Sequence, residues 1–399
     1  MRMQDRGLLV DHRALAKIRT RMEKEVQLLQ MHLNNAVKFD CNVRSTTDLR
    51  YLLHSVLNLP KVKQTKKGAP STDEDTLLRL SYNSPYAEIF KLILSIRERR
   101  TLISGFLGLE TKDGRYFAHF LQHGTDSGRL SSRAADKGPQ LQNIPKKARS
   151  IFIAPPGSVF ISADYRRAEA MYVAYDSLDE KTIALFQDET RDLYCEAATE
   201  TLRRPVAKGS AEREIFKRKT HAYNYGMGPR RFNQVLRENN IDIMSIPGIP
   251  GPSAEARCKY LLDHDIRAPF VKAWQSRLEQ DIRNTRSLYT ALGRRRVFLG
   301  DLADEHTFKV GFSYPPQGSI NEQNNQGLRR LDTEGWRVVL SLHDSIMLEV
   351  PEGDISEASR ALSRAMLNEI NMHGRLMTIP IDISVGRSWG DMHELSAES

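Results

Sequence analysis

Three short stretches carry residues whose types and spacing could do chemistry. In "VFISADYRRAEAMYVAYDS", Asp164 stands where an apolar run ends and a helical pattern begins. In "VVLSLHDSIMLEV", from Val338 to Val350, His343 and Asp344 interrupt what otherwise reads as a buried strand. An ionised carboxylate inside such a run is costly unless a partner compensates it, and a bend that lifts the pair to the surface is the plainer alternative. Two carboxylates at strand ends of one sheet could bind a pair of divalent cations, which stabilise the attacking and leaving oxygens of an in-line phosphoryl displacement. Mg²⁺ suits such a site because it keeps waters and is shared with substrate phosphates.

The third stretch is "REIFKRKTHAYNYG", where Arg213, Lys217, His221 and Tyr225 recur every four residues. Each step drifts by only about 40°, so the four share one broad helix face about 18 Å long. Like charges four apart cost a few tenths of a kcal/mol in a bare helix. A polyphosphate along the face would remove that cost, with Arg213 and Lys217 toward its oxygens and the rings toward a base. The plainer reading is a solvated helix in which Glu214 pairs with Lys217 or Arg218.

The elements that must position these groups are legible as patterns. Residues 12–35 place Leu15, Ile18, Met22, Val26, Leu29 and Leu33 at helical spacing, which predicts a long amphipathic helix. A second helical stretch is expected at about 84–107. Between them "LPKVKQTKKGAPSTDEDTLLRL" is an exposed, mobile Lys-rich loop that ends in a helix start. Strand and turn begin at 110, "SVFISADY" is a strand followed by a helix near 166–177, and residues 185–285 are mostly helical, broken by "IPGIPGP". From 290 strands and helices alternate. Strands from about 110–165 and 290–399, separated by a helical block, predict one α+β sheet assembled across an insertion.

Composition sets the outer bounds. With 399 residues and 40% hydrophobic content, the chain can bury a sizeable core in two or three subdomains. Cys41, Cys195 and Cys258 fit neither a disulfide framework nor a zinc spacing. No apolar run approaches a membrane span or a secretory signal, so a soluble, cytoplasmic protein with no membrane partner is expected. The formal charge is +9, and residues 1–110 hold 19 Lys and Arg against 12 Asp and Glu. That bias suits a phosphate backbone as well as it suits a solvated surface.

Taken in order, these segments resemble the polymerase domain of the DNA polymerase I family (family A), including its bacteriophage members, nearly end to end. "GLLVD" and "GAPSTDEDTLLRL" are similar to its thumb region, "GRLSS" and "LQNIP" to its primer-contacting palm segments, and "SADYRRAE" to its first metal-binding motif. The fingers helix, "LHDS" and a closing "GRSWGDMHE" follow. The resemblance implies a right-hand α+β architecture: an N-terminal segment and helical thumb in 1–108, an antiparallel-sheet palm in 109–184 and 286–399, and helical fingers in 185–285. It implies primer-dependent, template-directed DNA synthesis with two Mg²⁺ ions, for which Mn²⁺ can substitute.

Residue by residue, the resemblance implies that Asp164, Asp344 and the Tyr165 carbonyl hold the metals. Glu169 would gate against a ribose 2′-hydroxyl. Arg213 and Lys217 would neutralise the triphosphate, Lys217 with a catalytic role, and His221 and Tyr225 would complete the dNTP pocket. Tyr225 and Gly226 would border the templating base. Arg129, Gln142, Asn143, Gln317 and His343 would line the primer–template end, reading minor-groove acceptors common to all base pairs. Partners would be primer–template DNA, dNTPs, and a separate exonuclease subunit or replisome proteins; a viral chain would act in the host cytoplasm.

The sequence also departs from the family pattern. Ser345 stands where Glu usually follows the His-Asp pair, His221 where Phe or Tyr is usual, and Tyr194, in "RDLYCEAA", where a phosphate-contacting His is common. "RAADKGPQ" lengthens the connection between "GRLSS" and "LQNIP". The chain begins almost at the thumb, so no 3′–5′ exonuclease domain is expected within it. Two rival readings follow: a catalytically weakened polymerase-like DNA-binding or replisome-assembly protein, and a single-subunit RNA polymerase, against which Glu169 speaks.

Overall fold

A computed structural model describes residues 2–81, 84–134 and 138–395. The chain divides into two units: residues 1–120, 132–160 and 386–393 form the first, and residues 121–131, 161–385 and 394–399 the second.

In the first unit the helix His12–Val37 starts where Asp11 accepts hydrogen bonds from the backbone of Arg13 and Ala14, both at 2.9 Å, which satisfies amides that a helix start leaves open. Met22, Val26 and Leu33 of the expected stripe are buried; Leu15, Ile18 and Leu29 are half-buried. The stripe packs against the helix Ala87–Thr101 through a core that includes Leu33, Leu52, Leu53, Phe90, Ile93 and Ile96. The Lys-rich loop is exposed but closed on itself: Thr65 N–H donates to Ala69 C=O at 2.8 Å, and Lys63 pairs with Asp73 at 2.6 Å. Asp73 caps the next helix, Glu74–Ser81, through Thr76 N–H.

One strand departs from the sequence expectation. Leu8–Val10, inside "GLLVD", pairs antiparallel with Arg115–Tyr116 and with Phe152–Ile153. The sheet thus draws on the N-terminal stretch as well as on the two later ones. Three residues are too few to show an alternation. In the same unit Trp389 of "GRSWGDMHE" packs at a tilt against Phe152, with ring centroids 5.7 Å apart, and lies under the Arg149 guanidinium at 4.6 Å.

The second unit holds residues 381–385, residues 161–165, Ser345–Pro351 and Val338–Leu342, strand stretches that lie side by side in that order. The expected single strand over 338–350 is two strands. Val338–Leu342 and Ser345–Pro351 pair antiparallel with Leu342 opposite Ser345, so His343 and Asp344 form the whole turn. His343 adopts φ +50°, a left-handed conformation that a non-glycine residue takes most readily in a turn. The carboxylate therefore sits at a hairpin tip and not within a strand: of the two alternatives the sequence leaves open, the bend is the one that forms and the continuous strand is not.

Helices supply the rest of the unit. Ala168–Asp176, Ala211–Asn224, Ala268–Thr285 and Glu305–Thr333 are the ones that matter for the site. Trp274, Leu278, Ile282, Phe308, Phe312 and Tyr314 form their shared core. Among the described residues no helix is long and apolar enough to cross a membrane.

Beneath the Ala211–Asn224 helix lies a buried ionic cluster. Arg267 holds both oxygens of Asp265 at 3.1 Å and donates to Asn224 Oδ1 at 2.9 Å, and Lys219 approaches Asp265 at 3.5 Å. Burial alone would raise the Asp265 carboxyl, but Arg267 and Lys219 outweigh it and hold it below its ordinary range. Removing the anion would strand two buried cations. Asp265→Ala should therefore lower unfolding stability by about 3–5 kcal/mol in urea titrations; a loss below about 1 kcal/mol would contradict the pairing.

Candidate active site

Asp164 is the next-to-last residue of its strand, and the alternation there buries Ala163 and Tyr165 while exposing Asp164. The Tyr165 side chain is committed to the interior, its hydroxyl donating to Met366 C=O at 2.8 Å. Its amide donates to Asp344 C=O at 3.3 Å. That backbone contact brings the end of one strand to the tip of the hairpin, and both carboxylates line one cleft of about 650 Å³.

Electrostatics at the hairpin tip are unfavourable as they stand. Burial raises the Asp344 carboxyl above its ordinary value and Glu169 adds to the effect, while Arg129 and His343 oppose it. A partly desolvated carboxylate facing other anions calls for a cation. Among the described residues no group of three or more His, Cys, Asp or Glu is placed to hold a metal. The side-chain donors are two carboxylates, which fits a hard divalent ion that completes its shell with backbone carbonyl, water and substrate phosphate. Ser345 adds no third carboxylate, since its hydroxyl donates to Leu342 C=O at 3.1 Å.

Glu169, in the first turn of the Ala168–Asp176 helix, is the meeting point of three distant segments. Arg129 donates to its Oε1 at 2.8 Å, the Tyr225 hydroxyl donates to its Oε2, and His221 Nδ1 stands 3.9 Å from the same oxygen. Gln317 also reaches the Tyr225 hydroxyl. Burial, and then Glu169, push that hydroxyl well above its usual pKa, so it stays a neutral donor. Arg167, just before the helix, is left-handed at φ +56° and turns the chain sharply after Asp164.

Across the cleft runs the helix Ala211–Asn224, capped by Ser210. Arg213, Lys217 and His221 line the cleft. Tyr225 lies one residue past the helix end, under Glu169 and outside the cleft lining, so the expected four-residue face is three residues plus a terminal ring. Gly226 follows at φ +64°, and a Cβ there would stand 3.3 Å from the Phe312 ring. Glu214 pairs with Arg218 at 2.7 Å and with Arg213 at 3.2 Å, and Lys217 is exposed.

Arg213 has a partner the sequence did not disclose. Asp192 Oδ2 accepts from its Nε at 3.1 Å and from Nη2 at 2.7 Å, while Oδ1 caps the helix Leu193–Leu202 through the amides of Tyr194 and Cys195. Burial would raise Asp192, but Arg213 leads the interactions that hold it below its ordinary value. The Tyr194 ring lies 5.4 Å from the same guanidinium. One carboxylate thus fixes both a helix start and the cation above it.

A family model for DNA polymerase family A matches residues 12–391. The chain belongs to DNA polymerase family A. It is 29% identical to the thermostable DNA polymerase I of Thermus filiformis, covering 97% of this chain and 46% of that protein. Against DNA polymerase I of Helicobacter pylori strain ATCC 700392 / 26695 it is 26% identical, with 98% and 43% covered. The chain spans less than half the length of these relatives. Among solved structures, the POL domain of Pol1 from M. smegmatis, in complex with DNA primer-template and dNTP, superposes with a TM-score of 0.79 at 23% identity. It covers 97% of this chain and 68% of that one. The likeness establishes the polymerase-domain fold, with its curled antiparallel sheet.

Within this family A fold the expected residues fall into two groups. Asp164, Tyr165, Glu169, Arg213, Lys217, His221 and Asp344 line the cleft; Arg129 and Tyr225 join it through Glu169, Gln317 through Tyr225, and His343 adjoins Asp344. Gln142 and Asn143 belong to the first unit and are not among the cleft residues. Gln142 is buried, its amide donating to Ser132 Oγ at 3.2 Å, and Asn143 is exposed. Residues 135–137 of "RAADKGPQ" lie outside the described residues. Sequence reasoning missed Asp192, Arg167, Lys208 and Asp382 in the cleft wall. Only Asp192 left a signal, as an acidic helix cap before Leu193. Asp192→Asn retains a capping side chain and should cost under about 1 kcal/mol in thermal unfolding, whereas Asp192→Ala should cost about 1–3 kcal/mol. Equal losses would contradict the double role.

Proposed function

We propose that this chain is a primer-dependent, template-directed DNA polymerase that adds dNTPs by two-metal nucleotidyl transfer. The observation that carries the reading is the placement of Asp164 and Asp344 at one cleft, facing the helix that presents Arg213 and Lys217. Membership of family A and the DNA polymerase I relatives support it, as does the fold likeness to a domain bound to primer-template and dNTP.

In this reading Asp164, Asp344 and the Tyr165 carbonyl hold two Mg²⁺ ions, or Mn²⁺ in their place. Bound there, the cations would acidify the primer 3′-hydroxyl and neutralise charge on the departing pyrophosphate. Arg213 and Lys217 bind the triphosphate, and Lys217 stabilises the charge that builds on it during transfer. Because Asp192 already holds Arg213, that guanidinium arrives oriented and the exposed Lys217 is the adaptable cation. Glu169, fixed by Arg129 and Tyr225, stands as the gate that selects a deoxyribose. His221 faces the nucleotide beside it, and Tyr225 and Gly226 border the templating base. Arg129, Gln142, Asn143, Gln317 and His343 contact the primer–template end.

The division into thumb, palm and fingers at 1–108, 109–184 with 286–399, and 185–285 follows the same reading. So does action on DNA in the cytoplasm, alongside a separate exonuclease subunit or replisome proteins. The test is primer extension on a defined template with Mg²⁺ and either dNTPs or rNTPs, comparing the wild type with Asp344→Ala. Template-matched dNTP addition should fall at least about a hundredfold in the variant, with little rNTP addition by either protein. If neither extends a primer that both bind, the reading fails and a DNA-binding role replaces it.

A further inference from the structure

Beside the cleft lies a groove that is larger than it, of about 1010 Å³. The groove shares Arg166, Glu189, Asp382 and Glu394 with the cleft and runs away from it between the Ala168–Asp176 helix and the strands Arg375–Thr378 and Ile381–Ser388. Its floor is apolar, made by the buried side chains of Met171, Tyr175 and Phe186. Two leucines on its wall face solvent, Leu376 at 60% exposure and Leu367 at 41%. Apolar surface left uncovered beside a ready-made concavity is a mark of an interaction site.

The rim decides the kind of partner. Arg166 is spent on Asp382, which accepts from its Nε at 2.7 Å, so the two cancel. Glu189 and Glu394 are exposed and carry no ion pair among the described residues. An acidic rim on a chain of net charge +9 runs against the overall bias. The cleft also has Arg191, Lys208, Arg213 and Lys217 in its lining, whereas among the groove's described lining residues Arg166 is the one Lys or Arg, so in the groove these carboxylates attract cations and repel phosphates. The volume lies at the upper end for small-molecule pockets, and the exposed leucines extend the apolar surface onto the outside of the protein.

We propose that this groove docks a basic amphipathic segment of a partner protein, with apolar side chains against Met171, Tyr175, Phe186, Leu367 and Leu376, and Lys or Arg toward Glu189 and Glu394. This is helix-in-groove recognition with charge complementarity at the rim. It does not depend on the catalytic reading, because no residue proposed to touch metal, nucleotide or primer forms part of the groove.

Fluorescence anisotropy on the full chain tests it, with a labelled amphipathic helical peptide of Leu, Lys and Ala as probe and a Leu, Glu and Ala peptide as control. The Lys peptide should bind and the Glu peptide should not. Leu376→Asp, at an exposed position, should weaken binding at least about tenfold while leaving the unfolding temperature and primer extension unchanged. Equal binding by wild type and Leu376→Asp would overturn the proposal by placing the peptide elsewhere. Absence of binding to the wild type would overturn it too. Self-association of the wild type in sedimentation, abolished by Leu376→Asp, would assign the groove to a second copy of this chain instead.

Discussion

Two carboxylates brought together at the ends of neighbouring strands, one at a strand end and one at a hairpin tip, are the constraint around which the second unit is arranged. The amide of Tyr165 bonds to the carbonyl of Asp344, so the end of one strand cannot part from the tip of the neighbouring hairpin without losing that bond. The cost is electrostatic: Asp344 is partly desolvated and Glu169 stands close by. Arg129 answers part of it, being paired to Glu169 and attractive to Asp344. In the proposed function a divalent ion would neutralise the remainder, and the phosphates bound with it would meet Arg213 and Lys217 across the cleft.

The opposite wall is held by buried polar contacts more than by apolar packing alone. Lys219, Asp265, Arg267 and Asn224 tie the underside of the Ala211–Asn224 helix to the segment before Ala268. Asp192 holds Arg213 on the upper side, and Tyr225 pins the C-terminal end to Glu169. Three separate polar anchors on one helix of fourteen residues fix the direction in which its cations point. Buried ion pairs contribute little net stability against an apolar alternative, but breaking one is expensive. Such anchors therefore favour one orientation over others more than they add to overall stability.

Much of this was readable from periodicity and residue type. The His12–Val37 helix, the strand-to-helix passage through Asp164, and the four-residue spacing after Arg213 all appear in the structure close to where their patterns place them. The His343–Asp344 turn was readable only as one of two alternatives, a bend or a strand, because it contains no Gly, Asn or Pro and its flanks are mostly apolar; the left-handed φ of His343 goes with the pairing of Leu342 and Ser345 across it. Leu8–Val10 was too short to show an alternation. The partners of Glu169 lie 40 and 56 residues away, and Asp192 lies 21 residues from Arg213. No local pattern encodes contacts at such separations. The family resemblance named Glu169, Arg129 and Tyr225 individually, yet only the folded chain shows that they form one bonded group.

The most direct measurement is Mn²⁺ binding followed by electron paramagnetic resonance, with primer-template and a non-hydrolysable dNTP analogue present, for the wild type and for Asp164→Asn. The account predicts that the wild type takes up two ions per chain, and that the variant loses uptake while still binding DNA. Undiminished uptake by Asp164→Asn would contradict it, because the two strand-end carboxylates would then not be the cation site.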